Sequence, residues 1–246
     1  MLTSLARIRS DDAATFYESR QGQRTALLLN DRLQSIMPPM RGRRILGIGY
    51  TAPYLPESAE FAVSGRLLHP QTQRSTRPTR SQTRNIPWAD CIVSSGRLPF
   101  DDLSMNAVLV VHGLEFTRFA PDFLRAIWRT LSDDGVLTLV VPNRSGYWAH
   151  TDATPFGHGI PYSSGQLTRL LDQALFRIEH HSSALMTPPA ALSVTHGRLM
   201  ERAGRTLRLP CGGVHVVTAR KNIYAGTPLI DEKLCVPLPR QVAEPA

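Results

Sequence analysis

The chain has 246 residues, 42% of them apolar, a net charge of +8 and a pI near 10.0. That length supports one sizeable core, and no apolar run approaches the ~20 residues of a membrane span. The first sixteen residues hold no apolar leader and soon meet Asp11 and Asp12, and the three cysteines Cys91, Cys211 and Cys235 stand far apart in no metal spacing, so a reduced cytoplasmic protein is expected.

Residues 1–41 read as an N-terminal helical segment. Its helix, 12–36, carries Phe16, Leu27, Leu28, Leu33 and Ile36 at loosely helical intervals and stops at Pro38-Pro39. Residues 43–48 are a first strand that runs into Gly49, and 60–64 are a short second strand. Residues 65–88 follow with Arg66, Arg74, Arg77, Arg80 and Arg84 and no acid, in a background of Ser, Thr, Gln and Pro. This is an Arg-rich insertion loop, and it holds five of the eight excess positive charges. Lys221 and Lys233 are the only lysines, so arginine carries the charge throughout. Arginine suits phosphate, but no aromatic interleaving accompanies it. A solvated loop is therefore favoured over an RNA-binding arm.

Residues 89–95 form a third strand. Residues 106–111, Asn-Ala-Val-Leu-Val-Val, are a continuous apolar run, as expected of a strand buried on both faces. Residues 121–131 are a helix with Phe123, Leu124, Ile127, Trp128 and Leu131 on one face. Asp134-Gly135 turns the chain into a buried strand, 136–141, ended by Pro142. After a long polar loop, Ser163 and Gln166 form a capping box for a helix striped by Leu167, Leu170, Leu171, Ala174 and Leu175. Residues 176–185 are a sixth strand, 191–207 a helix, 212–221 a last strand, and 223–246 a mobile tail. The pattern predicts an α/β, doubly wound, Rossmann-like fold. Its sheet is mostly parallel and seven-stranded, with an antiparallel edge hairpin. Ligands in such sheets bind beyond the carboxyl ends of the strands.

The stretches Leu98–Phe116, Phe123–Arg144 and His158–Phe176 resemble the middle of class I S-adenosylmethionine-dependent methyltransferases, specifically the type 11 methyltransferase group. The Leu98-Pro99-Phe100 turn, His112, Leu114 and Glu115, the Leu-Arg-rich helix and the strand ending in Pro142-Asn143 all keep the group's order. The resemblance implies a methyltransferase-like domain over 42–222 that binds S-adenosylmethionine and methylates a small-molecule acceptor. A bound cofactor is expected to be bordered by Gly47, Gly49, Tyr50 and Thr51 of the turn, and the resemblance adds Ser94, Leu98 and His112.

The cofactor motif itself departs from the group. The acidic position at the end of the first strand falls on Gly47, and the three glycine positions fall on Gly49, Thr51 and Pro53. The ribose-gripping acid is absent from Val63-Ser64-Gly65, and the adenine-side aspartate falls on Ser94. A carboxylate on ribose hydroxyls contributes charge-assisted bonds of roughly 1.5–3 kcal/mol each. The turn is thus either remodelled, with Tyr50, Thr51 and Tyr54 supplying stacking and a hydroxyl, or a relic.

For proton removal from an acceptor, the candidates at the right end of the sheet are His158, Tyr162 and Asp152, with His112 and Glu115 nearby. His158 in a Gly-rich loop is also read as a backbone-bonded loop holder. His150, Asp152 and His158 are weighed as a metal set and set aside, so no metal is expected. The alternative to an enzyme is a catalytically inactive methyltransferase-fold binding module, with nucleic acid as a less favoured partner. An open pocket reaching Gly49 distinguishes the enzyme; Tyr50, Tyr54 or the Arg-rich insertion filling it marks the inactive form.

Overall fold

The computed structural model describes residues 10–39, 42–55, 61–67, 88–93, 96–191, 194–206 and 212–223. Helix α1 (Ser10–Glu18) and helix α2 (Arg20–Ile36) precede the sheet. The single helix expected over 12–36 is therefore two. Ser19 breaks it, because its side chain accepts from the Gly22 N–H and starts α2 afresh. The core side of α2 is Leu28, Leu29 and Leu33, whereas Leu27 is exposed.

The strands are β1 (Arg44–Gly49), β2 (Phe61–Leu67), β3 (Trp88–Val93), β4 (Met105–Val111), β5 (Leu131–Pro142), β6 (Phe176–Ala184) and β7 (Val214–Lys221). They form one sheet in the order β3-β2-β1-β4-β5-β7-β6. The pairs from β3 to β5 are parallel, and β7 is antiparallel to both β5 and β6. The expected edge hairpin differs in kind. β6 and β7 do pair antiparallel at the edge, but helix α5 (Val194–Thr206) lies between them, and β7 enters the sheet between β5 and β6. Residues 65–67 belong to β2 and Trp88 opens β3, so the expected insertion loop is shorter at both ends; its remainder lies outside the described residues. The tail beyond residue 223 also lies outside them.

Alternate side chains along the central strands feed two cores. Leu46, Ile48, Val108, Val110, Leu137 and Leu139 pack with helix α3 (Ala120–Thr130) and helix α4 (Ser164–Gln173) through Phe123, Ile127, Leu167 and Leu171. Ile45, Ala107, Leu109, Val111, Val140, Val214 and Val216 pack on the other face with Leu28, Leu29, Leu33 and Tyr17. This is the period of two expected of strands covered on both sides. It leaves the carboxyl ends of β1 and β4 side by side, with α1 against them.

Candidate functional site at the crest of β1 and β4

β1 ends at Gly49 with φ +89°, in the left-handed region. A Cβ there would lie 2.1 Å from the Val111 carbonyl oxygen and 2.7 Å from that of His112, so only glycine lets the turn pass so close to β4. The next residue, Tyr50, donates its backbone N–H to the Val111 carbonyl (2.8 Å). β4 turns out of the sheet at His112, whose φ of 54° is unusual for a residue with a side chain. The turn directs its imidazole across the crest.

A line of buried polar groups follows. The Tyr54 hydroxyl donates to the Tyr17 hydroxyl oxygen (2.8 Å). The Tyr17 hydroxyl meets His112 Nε2 at 3.0 Å. His112 Nδ1 faces Glu115 Oε1 at 3.4 Å, and Glu115 Oε2 accepts the Gly113 N–H (3.1 Å). Tyr17 is 6%, Tyr54 4%, His112 7% and Glu115 1% exposed, so the whole line sits out of bulk water. Burial, and secondarily the neighbouring Tyr54, pushes the Tyr17 phenol well above its ordinary pKa; burial likewise raises that of Tyr54. Both hydroxyls therefore stay protonated and remain donors at neutral pH.

Aromatic rings pack around this line. Tyr17 lies parallel to Tyr50, with centroids 4.9 Å apart and planes 8° apart, and meets Tyr54 edge-on at 6.0 Å. Phe156 tilts against His112 at 4.3 Å and is itself met edge-on by Trp148. Thr51 is fully buried, and its Oγ1 has no hydrogen-bond partner. That hydroxyl occupies the space over Gly47, where an added Cβ would come within 2.1 Å of it.

Gly47, Gly49, Tyr50, Thr51 and His112 are thus brought together at one crest. Leu98 is 9% exposed and lies in the α3–α4 core, and Ser94 lies outside the described residues. The three residues named for proton removal sit in the following loop. His158 Nε2 is 3.2 Å from the Asp152 carbonyl oxygen, the contact of a loop-holding histidine, and Asp152 is exposed. Tyr162 donates its N–H to the Pro142 carbonyl and receives that of Arg144. Burial, then the Glu115 charge, pushes its phenol up to about 12, which keeps it from acting as a base near neutrality. His150 Nε2 meets the Arg144 carbonyl oxygen (2.9 Å). Among the described residues no group of three His, Cys, Asp or Glu side chains is placed to hold a metal ion.

Tyr17 is the participant that sequence reasoning missed. It stands 95 residues from His112 in sequence, in a segment whose pattern says only that a helix forms. Glu115 and Tyr54 were visible, the first in the His112-x-x-Glu115 spacing.

The fold superposes on solved structures over most of the chain. A methyltransferase of Thermotoga maritima that depends on S-adenosylmethionine superposes with a TM-score of 0.60 at 16% identity, covering 86% of this chain and 95% of its own. The chain has the class I methyltransferase fold. A Mesorhizobium loti methyltransferase of the same kind gives 0.56 at 16% identity, over 78% and 96% of the two chains. The [4+2]-cyclase SpnF gives 0.53 at 18% identity, over 78% and 80%. No family model and no curated protein matches the sequence. No described helix is long and apolar enough to cross a membrane.

Proposed function

We propose that this chain is a cytoplasmic S-adenosylmethionine-dependent methyltransferase of the type 11 kind that acts on a small-molecule acceptor. The observation that carries the reading is the crest where Gly49, Thr51, His112 and Glu115 converge at the carboxyl ends of β1 and β4. The fold places ligands at that end. The fit to the cofactor rests on its orphaned polar atoms. Thr51 Oγ1 is buried without a hydrogen bond, and Glu115 Oε1 and His112 Nδ1 are buried with no hydrogen bond, only each other at 3.4 Å. Such groups are costly unless something partners them, and the polar amino-acid end of the cofactor offers donors and acceptors. Gly49, Tyr50, Thr51 and His112 would border that end. When bound, the cofactor supplies an electrophilic methyl group on sulfonium sulfur. The chain itself aligns the acceptor and receives its proton.

A second reading has its own support. Thr51 fills the space over Gly47, and Tyr17 and Tyr54 are buried at the crest, as expected of an inactive relative that keeps the fold as a binding module.

Calorimetric titration with S-adenosylmethionine and S-adenosylhomocysteine decides between them. Micromolar binding that is weakened by His112→Gln supports the enzyme. No heat up to millimolar ligand, in folded protein, moves the work to partners, beginning with RNA binding and its steep salt dependence. Gly49→Val is unsuitable as the control, because its Cβ would strike the β4 backbone whether or not a cofactor binds.

A further inference from the structure

Resting on that reading, we infer that the acceptor is a planar hydroxy-aromatic compound that takes the place Tyr17 holds at the crest. Tyr17 belongs to α1, outside the sheet, yet its phenol meets a complete set of partners. The ring lies flat on Tyr50 and edge-on to Tyr54. The oxygen accepts from the Tyr54 hydroxyl at 2.8 Å and lies 3.0 Å from His112 Nε2. His112 is backed by the buried Glu115 carboxylate 3.4 Å from Nδ1. A flat platform, one hydroxyl donor and a basic nitrogen backed by a carboxylate are what alkylation of a phenol oxygen requires. The donor steadies the oxygen, and the imidazole takes the proton.

The proton step balances within these residues. The phenol O–H bond breaks and its electron pair stays on oxygen. The proton passes to His112 Nε2, and the resulting imidazolium is neutralised by Glu115. Burial holds a phenol at this place protonated, as it holds Tyr17, so its proton passes to His112 as the oxygen is alkylated and its O–H becomes strongly acidic. An aliphatic alcohol offers no face to stack.

Tyr17 can yield the place because its helix is weakly anchored by its own backbone. α1 has nine residues, too few to persist alone, and Ser19 separates it from α2. The buried side chains described on it are Ala13 and Tyr17.

The test titrates the full chain with p-cresol, the tyrosine side chain as a free molecule, and with toluene, the same shape without the hydroxyl. Hydrogen exchange over residues 10–18 and the nitrogen resonances of His112 are followed. The expected result is that p-cresol binds at millimolar concentration, raises exchange across α1 and shifts His112 Nε2. Toluene binds about tenfold more weakly, as loss of the hydroxyl's bonds implies. Tyr17→Ala, or Tyr17→Leu if the first variant does not fold, binds p-cresol at least tenfold more tightly than the parent. His112→Gln erases the preference for p-cresol over toluene. Equal binding of the two probes, binding that leaves α1 protected, or no binding of p-cresol by parent and Tyr17 variant alike overturns the inference. A parallel titration with S-adenosylhomocysteine separates the failures. Cofactor binding with no p-cresol binding overturns the acceptor alone, and no cofactor binding overturns the methyltransferase reading on which it stands.

Discussion

Gly49 decides whether β1 can lie against β4 at the crest. Its φ of +89° and the 2.1 Å approach of an added Cβ to the Val111 oxygen leave no side chain acceptable. Gly49→Ala is expected to cost well over about 2 kcal/mol, the combined effect of left-handed strain and backbone collision, and denaturant unfolding measures it. Thr51 makes the opposite case. Its buried hydroxyl has no partner, so Thr51→Val should raise stability by about 1 kcal/mol through relief of desolvation. If the hydroxyl serves the cofactor, the same variant binds S-adenosylhomocysteine more weakly, so one substitution moves stability and affinity in opposite directions. A melting curve and a titration on the same protein read both.

Helix starts show where sequence and structure part. Ser19 caps α2 by accepting from Gly22 N–H at 3.0 Å, and Ser19→Ala should cost about 1 kcal/mol in thermal or urea unfolding. That cap is not legible in advance, since no apolar break marks it. The cap of α4 is legible. Ser163 accepts from Gln166 N–H while the Gln166 side chain accepts from Ser163 N–H, because Ser-x-x-Gln before a leucine stripe is a local signal with a local cause. The buried strands are legible for a similar reason. Val108 to Val111 must be apolar on both faces wherever helices cover both. The crest is only half legible. Gly49, His112 and Glu115 lie at strand ends that periodicity locates. The docking of Tyr17 depends on where α1 packs, and that is fixed by tertiary contact rather than by any motif. A run of three leucines fits more than one helical face, and packing buries Leu28 and Leu29 while leaving Leu27 exposed.

The whole molecule should answer to acid through the last two strands at one side of its sheet. His181 Nε2 and His215 Nδ1, on β6 and β7, lie 3.2 Å apart. Burial, then the neighbouring His181, lowers His215 to about 4, and burial also lowers His181. The unfolded chain, near 6.5, thus binds a proton at His215 that the folded chain refuses. Stability from this group is full above about pH 6.5 and falls as pH drops toward about 4, by no more than about 3 kcal/mol. Urea midpoints measured from pH 7 to pH 4 should fall across that window, and His215→Phe should flatten the change.

The position of β7 bears on how the protein is born. A ribosome delivers β1 to β6 in order, but the strand that joins β5 to β6 is Val214–Lys221. Until it emerges, the nascent chain carries two raw edges, one on the parallel block and one on β6. Open edges invite pairing with other chains. Completion of the sheet is therefore a late, single event in synthesis. A stalled nascent chain whose emerged part ends between residues 185 and 213 should capture chaperones, and one tethered by an added linker that carries Val214–Lys221 clear of the exit tunnel should release them.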